Sequence, residues 1–156
     1  MNSAAPITPV SAAPANLALR LFAAIYDVLP LLALWFLATV LALALTGGAL
    51  DVRRIGDKLF VQGLVLLVTA TYFVVSWLRG GQTVGMRPWH LRVVRADGAP
   101  VDLKRALLRF GMAIVSLAAG GFGFLWCLID KDRRAWHDIA AGTLLVRVDK
   151  KAQGLV

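Results

Sequence analysis

Residues 17–46 read LALRLFAAIYDVLPLLALWFLATVLALALT, thirty positions that hold only two charges, Arg20 and Asp27, seven apart. A helix crosses the hydrocarbon of a bilayer in roughly 20 residues, so this run predicts an integral membrane protein. An aspartate inside such a run costs about 2.5–3.5 kcal/mol on insertion and persists where something pairs with it. Asp27 is therefore the first candidate for function.

The rest of the chain agrees. Of its 156 residues 59% are hydrophobic, and 17 Lys and Arg stand against 9 acidic residues, every one an Asp, for a net charge of +8. One membrane domain over 17–148 is expected, between a disordered Ala/Pro-rich tail over 1–16 and a short tail over 149–156. The first sixteen residues carry no charged side chain, so they do not read as a secretory signal peptide. The bases lie in loops, which points to anionic lipid headgroups as partners. A nucleic-acid partner would need a folded basic platform with stacking aromatics, and none is legible. The single cysteine, Cys127, sits in an apolar run and reads as a small buried side chain, with no disulfide and no thiolate metal site in prospect.

Three apolar segments, Leu21–Thr46, Leu59–Leu78 and Leu107–Ile129, are each long enough to span as helices. Trp77 and Trp126 lie near segment ends as interfacial aromatics do, whereas Trp35 is mid-span and is expected to pack. The loop GGALDVRRIGDK carries three Lys and Arg, the loop from Arg79 to Ala106 carries six, and the tail after Ile129 carries six. Basic loops stay in the cytoplasm, so the second loop and the tail belong on one side. Three full spans would separate them. Gly120, Gly121 and Gly123 stand in the middle of the third segment, and a turn there would make it a re-entrant hairpin buried in protein. The alternative is a straight span whose glycines let helices pack closely. The charge count favours the hairpin. His90–Arg95 (HLRVVR) and Thr143–Val148 (TLLVRV) flank this segment as strand candidates, with a turn at Asp97-Gly98, and their pairing would also need one side. The fold class expected is an all-α integral membrane protein: two full transmembrane helices, a third segment that is re-entrant or spanning, and a small cytoplasmic β element.

Arg20 and Asp27 share a helix face but lie about 10.5 Å apart along the axis. Helical side chains lean toward the N-terminus, so Arg20 leans away from Asp27 and is expected to snorkel to the headgroups. Asp27 then needs a partner from elsewhere, such as Arg109 or a base in a loop. Pro30 denies a hydrogen bond to the Tyr26 carbonyl, and a buried acid beside a freed carbonyl is what cation and proton sites in transporters use. Against that stand two plainer readings: a structural charge paired within the bundle, or an interfacial helix over Leu17–Val28 with Pro30 opening the true span. The loop Gly80-Gly81-Gln82-Thr83-Val84-Gly85-Met86-Arg87 lacks the GK[ST] ending of a phosphate loop and reads as a tight turn. Asp102 is placed to cap the third helix. His137 beside Asp138 suggests a general base, but no nucleophile motif accompanies it, and two histidines without clustered acids make no metal site. Neither catalysis nor a cofactor is expected.

Three stretches, LALRLFAAIYD, GGQTVGMRPWHLRVVRADG and RRAWHDIAAGT, resemble the RDD family of small bacterial membrane proteins, named for one arginine and two aspartates. The resemblance covers about Leu17 to Val148 and implies a multi-pass protein of the bacterial inner membrane. It puts the family's arginine at Arg20, its first aspartate at Asp27 and its second at Asp138. Where many relatives have a lysine after the second loop glycine, Met86 stands here and Arg87 follows. The family's activity is largely unassigned, with cation/proton exchange proposed for some members.

Two functions follow as expectations. One is a small transporter, a homo-oligomer because three short segments enclose little volume, with Asp27 as the protonatable or cation-binding group. The other is an accessory protein for a membrane partner, in which Arg20, Asp27 and Asp138 lock the bundle to its loops. Asp138 is expected to be buried by the second loop, touching a base there or N–H groups near Gly81–Gly85, with Arg20 approaching the same cluster. Arg109, His137, Gly81 and Gly85 complete the set of candidate residues.

Overall fold

The computed structural model describes residues 12–51 and 53–148. The outer part of the expected N-terminal tail, 1–11, and the whole of the expected C-terminal tail, 149–156, lie outside the described residues. In chain order the elements are β1 (Ala12–Pro14), α1 (Leu17–Leu45), α2 (Ile55–Gly80), β2 (Leu91–Arg95), α3 (Leu103–Ala118), α4 (Phe122–Leu125) continued by a 3-10 turn (Trp126–Leu128), α5 (Trp136–Ala141) and β3 (Thr143–Val148).

The Asn16 side chain accepts a hydrogen bond from the Leu19 N–H at 2.9 Å and so starts α1. The helix then runs unbroken through Pro30 to Leu45. This corrects the reading of Leu17–Val28 as a separate interfacial helix. Ala23, Asp27, Leu31 and Ala42 are its buried positions, the first three at four-residue steps on one stripe. Halfway along, Trp35 packs as expected, its indole N–H donating to the Thr69 hydroxyl of α2 at 2.8 Å. α1 and α2 are each long and apolar enough to cross a membrane. Large side chains along them, among them Leu29, Phe36, Leu45 and Leu67, stay exposed, which in water would be an unusually large apolar surface.

The third segment is not one straight helix. α3 begins at the Asp102 cap, whose side chain accepts from the Arg105 N–H at 2.9 Å. It ends where Gly120 and Gly121 take left-handed φ values of 71° and 84°, and the chain turns by 111° into α4 and its 3-10 extension. The hairpin is lopsided: a 16-residue arm and a much shorter return, not two equal halves. Gly123 is needed at the bend because a β-carbon there would meet the Ser116 side chain and the Trp136 ring.

The return brings β3 back beside β2. The two strands pair antiparallel, Leu91 opposite Arg147 through Arg95 opposite Thr143, as their pattern predicted. The turn after β2 also forms, the Gly98 N–H donating to the Arg95 carbonyl at 2.9 Å. β1, by contrast, was legible only as part of a disordered tail. It adds to the other edge of β3, with Ala12 opposite Val148, and gives the order β1-β3-β2. Ala15, Val74, Trp77, Leu91, Val93, Ala106 and Leu145 make the core between the sheet and the near ends of the helices. Trp77 is a buried member of that core and not an interfacial aromatic, because the Arg109 side chain lies over its ring. Trp126 is partly exposed and faces Trp136.

Candidate functional site

Two carboxylates are buried where the long helices meet this cap. Asp27 is 3% exposed and Asp138 0%. Asp27 is met by neutral donors alone, Asp138 by two bases and a backbone N–H.

Around Asp27 the donors come from α2 and the turn that follows it. Its Oδ1 accepts from the Tyr72 hydroxyl at 2.5 Å and the Gly85 N–H at 2.7 Å, and its Oδ2 from the Thr83 hydroxyl at 2.6 Å. The Tyr72 oxygen itself accepts from the Val84 N–H at 3.2 Å, and the Thr83 oxygen from the Met86 N–H at 3.3 Å. With its acceptor side engaged, each hydroxyl aims its proton at the carboxylate. Gly85 can lie this close to α1 only as glycine, since a β-carbon would collide with the Ala23 carbonyl and stand 2.8 Å from the Asp27 backbone nitrogen. No base among the described residues forms an ion pair with Asp27, which corrects the expected pairing with Arg109 or a loop base.

Asp138 has the bases. Arg20 of α1 meets its Oδ2 at 2.7 Å, and Arg109 of α3 forms a close ion pair with Oδ1. The Ala135 N–H adds a third bond at 2.9 Å. Arg20 also donates to the Arg133 carbonyl at 2.8 Å, and Arg109 to the Thr143 hydroxyl at 2.8 Å. One carboxylate thus joins α1, α3, α5 and the start of β3. Arg20 does not snorkel outward; its side chain is buried in this cluster. The cluster was expected, with Arg20 in it, but the second base comes from α3 and the loop N–H of Gly85 goes to Asp27 instead. The two acids have exchanged the partners that the sequence suggested.

The remaining candidates fall into place around these two centres. Gly81 touches neither acid. It ends α2 with a left-handed φ of 67°, and its carbonyl accepts from the Val93 N–H at 2.7 Å, setting the turn against β2. Met86 is buried in the core while Arg87 is exposed, so the charge of this turn is carried at 87. The His137 imidazole lies 3.8 Å from Asp138 and against Phe124. Burial, together with the Arg109 guanidinium, pushes it down to about 3. Burial alone would raise the Asp138 carboxyl, but the Arg109 and Arg20 guanidiniums outweigh it and hold the group well below the usual carboxylate range. The imidazole packs on the Phe124 ring beside the buried ion pairs. Among the described residues no three His, Cys or acidic groups come together as metal ligands. Tyr72, Thr83, Thr143 and Arg105 were not foreseen. Arg105 donates to the Ala141 carbonyl at 2.8 Å and closes the end of α5. The signal for Tyr72 was a phenol inside an apolar helix, where a hydroxyl needs a partner.

These features define a small helical protein of membrane type, with two long apolar helices tied by buried acids to a basic cap. The chain belongs to the RDD family, whose sequence model matches residues 14–142. It is 31% identical over 139 residues to the uncharacterized protein YckC of Bacillus subtilis (strain 168), an alignment covering 83% of this chain and 82% of that one. No solved structure matches.

The cluster sets a direction for stability against pH. His137 titrates near 6.5 in the unfolded chain and about 3 in the folded one, so unfolding takes up a proton throughout that window. Stability is therefore full above about pH 7 and falls as pH drops through 6.5. The depressed Asp138 adds its own loss only below about pH 4, where the unfolded carboxyl protonates. In detergent, Tm should decline from pH 7 toward 5, and His137→Gln should flatten that decline. Asp138→Ala at pH 7 should lose roughly 3–5 kcal/mol, as expected of a broken buried pair. Asp132→Ala on the exposed loop should lose little. A flat Tm between pH 7 and 5, or equal small effects of the two alanines, would contradict the buried cluster.

Proposed function

We propose that this chain is a multi-pass protein of the bacterial cytoplasmic membrane that moves protons or monovalent cations as an oligomer, with Asp27 as the group that takes the proton or ion. The exposed apolar faces of α1 and α2 support insertion, since so large an apolar surface is unfavourable in water. The basic loops, on the side of the sheet and the Asp138 cluster, support a cytoplasmic cap. One observation carries the transport reading: Asp27 is buried in an apolar helix, takes three hydrogen bonds, and meets no base among the described residues. An ionisable group inside an apolar spanning helix is a functional-site candidate by default. The fit of Gly85 against α1 favours a second reading. It leaves the carboxylate fully served by this chain's own donors, as an accessory protein with a fixed architecture would need.

Two measurements test these readings. In a Cys127→Ala background, cysteines at Ala96 and Lys131 should label from the cytoplasmic side and a cysteine at Ala49 from the other. Labelling of Ala96 and Lys131 from opposite sides would contradict the returning third segment. In proteoliposomes the wild-type protein should dissipate an imposed proton, Na⁺, K⁺ or Li⁺ gradient, and Asp27→Asn should abolish the flux with the protein still folded. Wild-type protein that moves none of these under any gradient ends the transport reading, and collapse of folding in Asp27→Asn would favour the accessory one.

A further inference from the structure

We propose that the turn over 84–90 and the adjoining face of α1 bind the phosphate headgroup of an anionic phospholipid, with Arg87 as the charge and Trp89, Phe22 and Tyr26 as the apolar rest for the glycerol and upper acyl chain. The inference builds on the membrane reading above and is independent of transport.

Three observations meet at this place. The first is depth. The Gly85 N–H bond to Asp27 fixes the turn beside α1 at the level where the cap ends and the exposed apolar length of the helices begins. Phe22 and Tyr26, four residues apart, share a face of α1. Trp89 stacks on Phe22 with ring centroids 5.1 Å apart and an interplanar angle of 21°, and meets Tyr26 edge-on at 5.9 Å. Phe22 and Tyr26 remain about half exposed, at 46% and 50%. Trp and Tyr gather at the headgroup level because their rings are apolar and their edges polar, and this trio has that character.

The second observation is charge. No acidic residue stands between Asp57 and Asp97, an interval that holds Lys58, Arg79, Arg87, Arg92 and Arg95. Arg87 is exposed and enters no ion pair among the described residues. Asp27, the acid bonded to this turn, is buried and already holds three donors. The positive charge of the turn therefore faces outward and is unopposed.

The third is the pairing of that charge with apolar surface. A soluble phosphate would use the guanidinium and leave the aromatic rest bare, whereas a phospholipid uses both at once. A juxtamembrane base adds attraction to anionic lipid that falls off within a Debye length of the surface, so the position of Arg87 beside the aromatic trio is what makes it effective.

The test uses the purified full-length chain in detergent, with phosphatidylglycerol or phosphatidylcholine added at equal mole fraction. Phosphatidylglycerol should raise Tm more than phosphatidylcholine. Arg87→Gln should weaken the apparent phosphatidylglycerol affinity about fivefold, the loss expected for one base at a lipid surface. Arg87→Lys should keep most of the response, and Arg53→Gln, at the far ends of the helices, all of it. An equal response to phosphatidylcholine, an undiminished response in Arg87→Gln, or an equal shift from dissolved glycerol phosphate would overturn the site. Flotation with neutral liposomes separates this from the underlying reading. Protein that floats but shows no phosphatidylglycerol preference overturns the site alone, and protein that does not float overturns membrane insertion and the site together.

Discussion

Asp138 and its two guanidiniums are the constraint on which the rest of the structure depends. A carboxylate with no exposed surface is costly to bury unless it is both paired and hydrogen-bonded. Here both conditions are met by groups far apart in sequence: Arg20 from the first helix, Arg109 from the third, and the Ala135 N–H that opens α5. Moving any one element would strand a buried charge. The cluster holds two guanidiniums against one carboxylate, whereas Asp27 meets no base among the described residues.

The one-sidedness of the cap follows from this clamp. β2 and β3 can pair only if the chain between them comes back, and the bend at Gly120 and Gly121 provides the return. Gly123 lets the return lie against α3, and Arg105 fastens the end of α5 to the start of that helix. Gly85 performs the same service on the other side, letting the turn after α2 reach the backbone of α1. Glycines stand where the chain must pass close to a neighbouring helix, Gly85 against the backbone of α1 and Gly123 against the Ser116 and Trp136 side chains.

The parts of this architecture that were legible in the sequence are those that periodicity and charge report. Long apolar runs announced α1 and α2, glycines announced the bend, β-branched stretches announced β2 and β3, and Asp102 announced its cap. Asp138 was legible as a buried acid because a surface pair is worth too little to make such a residue matter. What could not be read was which loop folds against which helix. Arg109 was offered to Asp27 and the Gly81–Gly85 amides to Asp138, and the structure has them the other way round, since the length of the turn after Gly81 brings Gly85 to Ala23 and not to α5. β1 was hidden because Ala12–Pro14 has no strand character of its own and is held by the free edge of β3. Tyr72 and Thr83 were hidden because a hydroxyl in an apolar or glycine-rich stretch does not name its partner.

A double-mutant cycle between Arg20 and Asp138, read as unfolding free energy of the detergent-solubilised chain, tests the clamp most directly. Arg20→Gln and Asp138→Asn each remove one end of the Arg20–Asp138 contact between α1 and the cap. The account predicts that the double variant is clearly less destabilised than the two singles added together, with a coupling of about 0.5–3 kcal/mol, the range for groups in one buried network. Additivity within about 0.3–0.5 kcal/mol, the behaviour of independent sites, would show that Arg20 does not hold α1 through Asp138 and would contradict it.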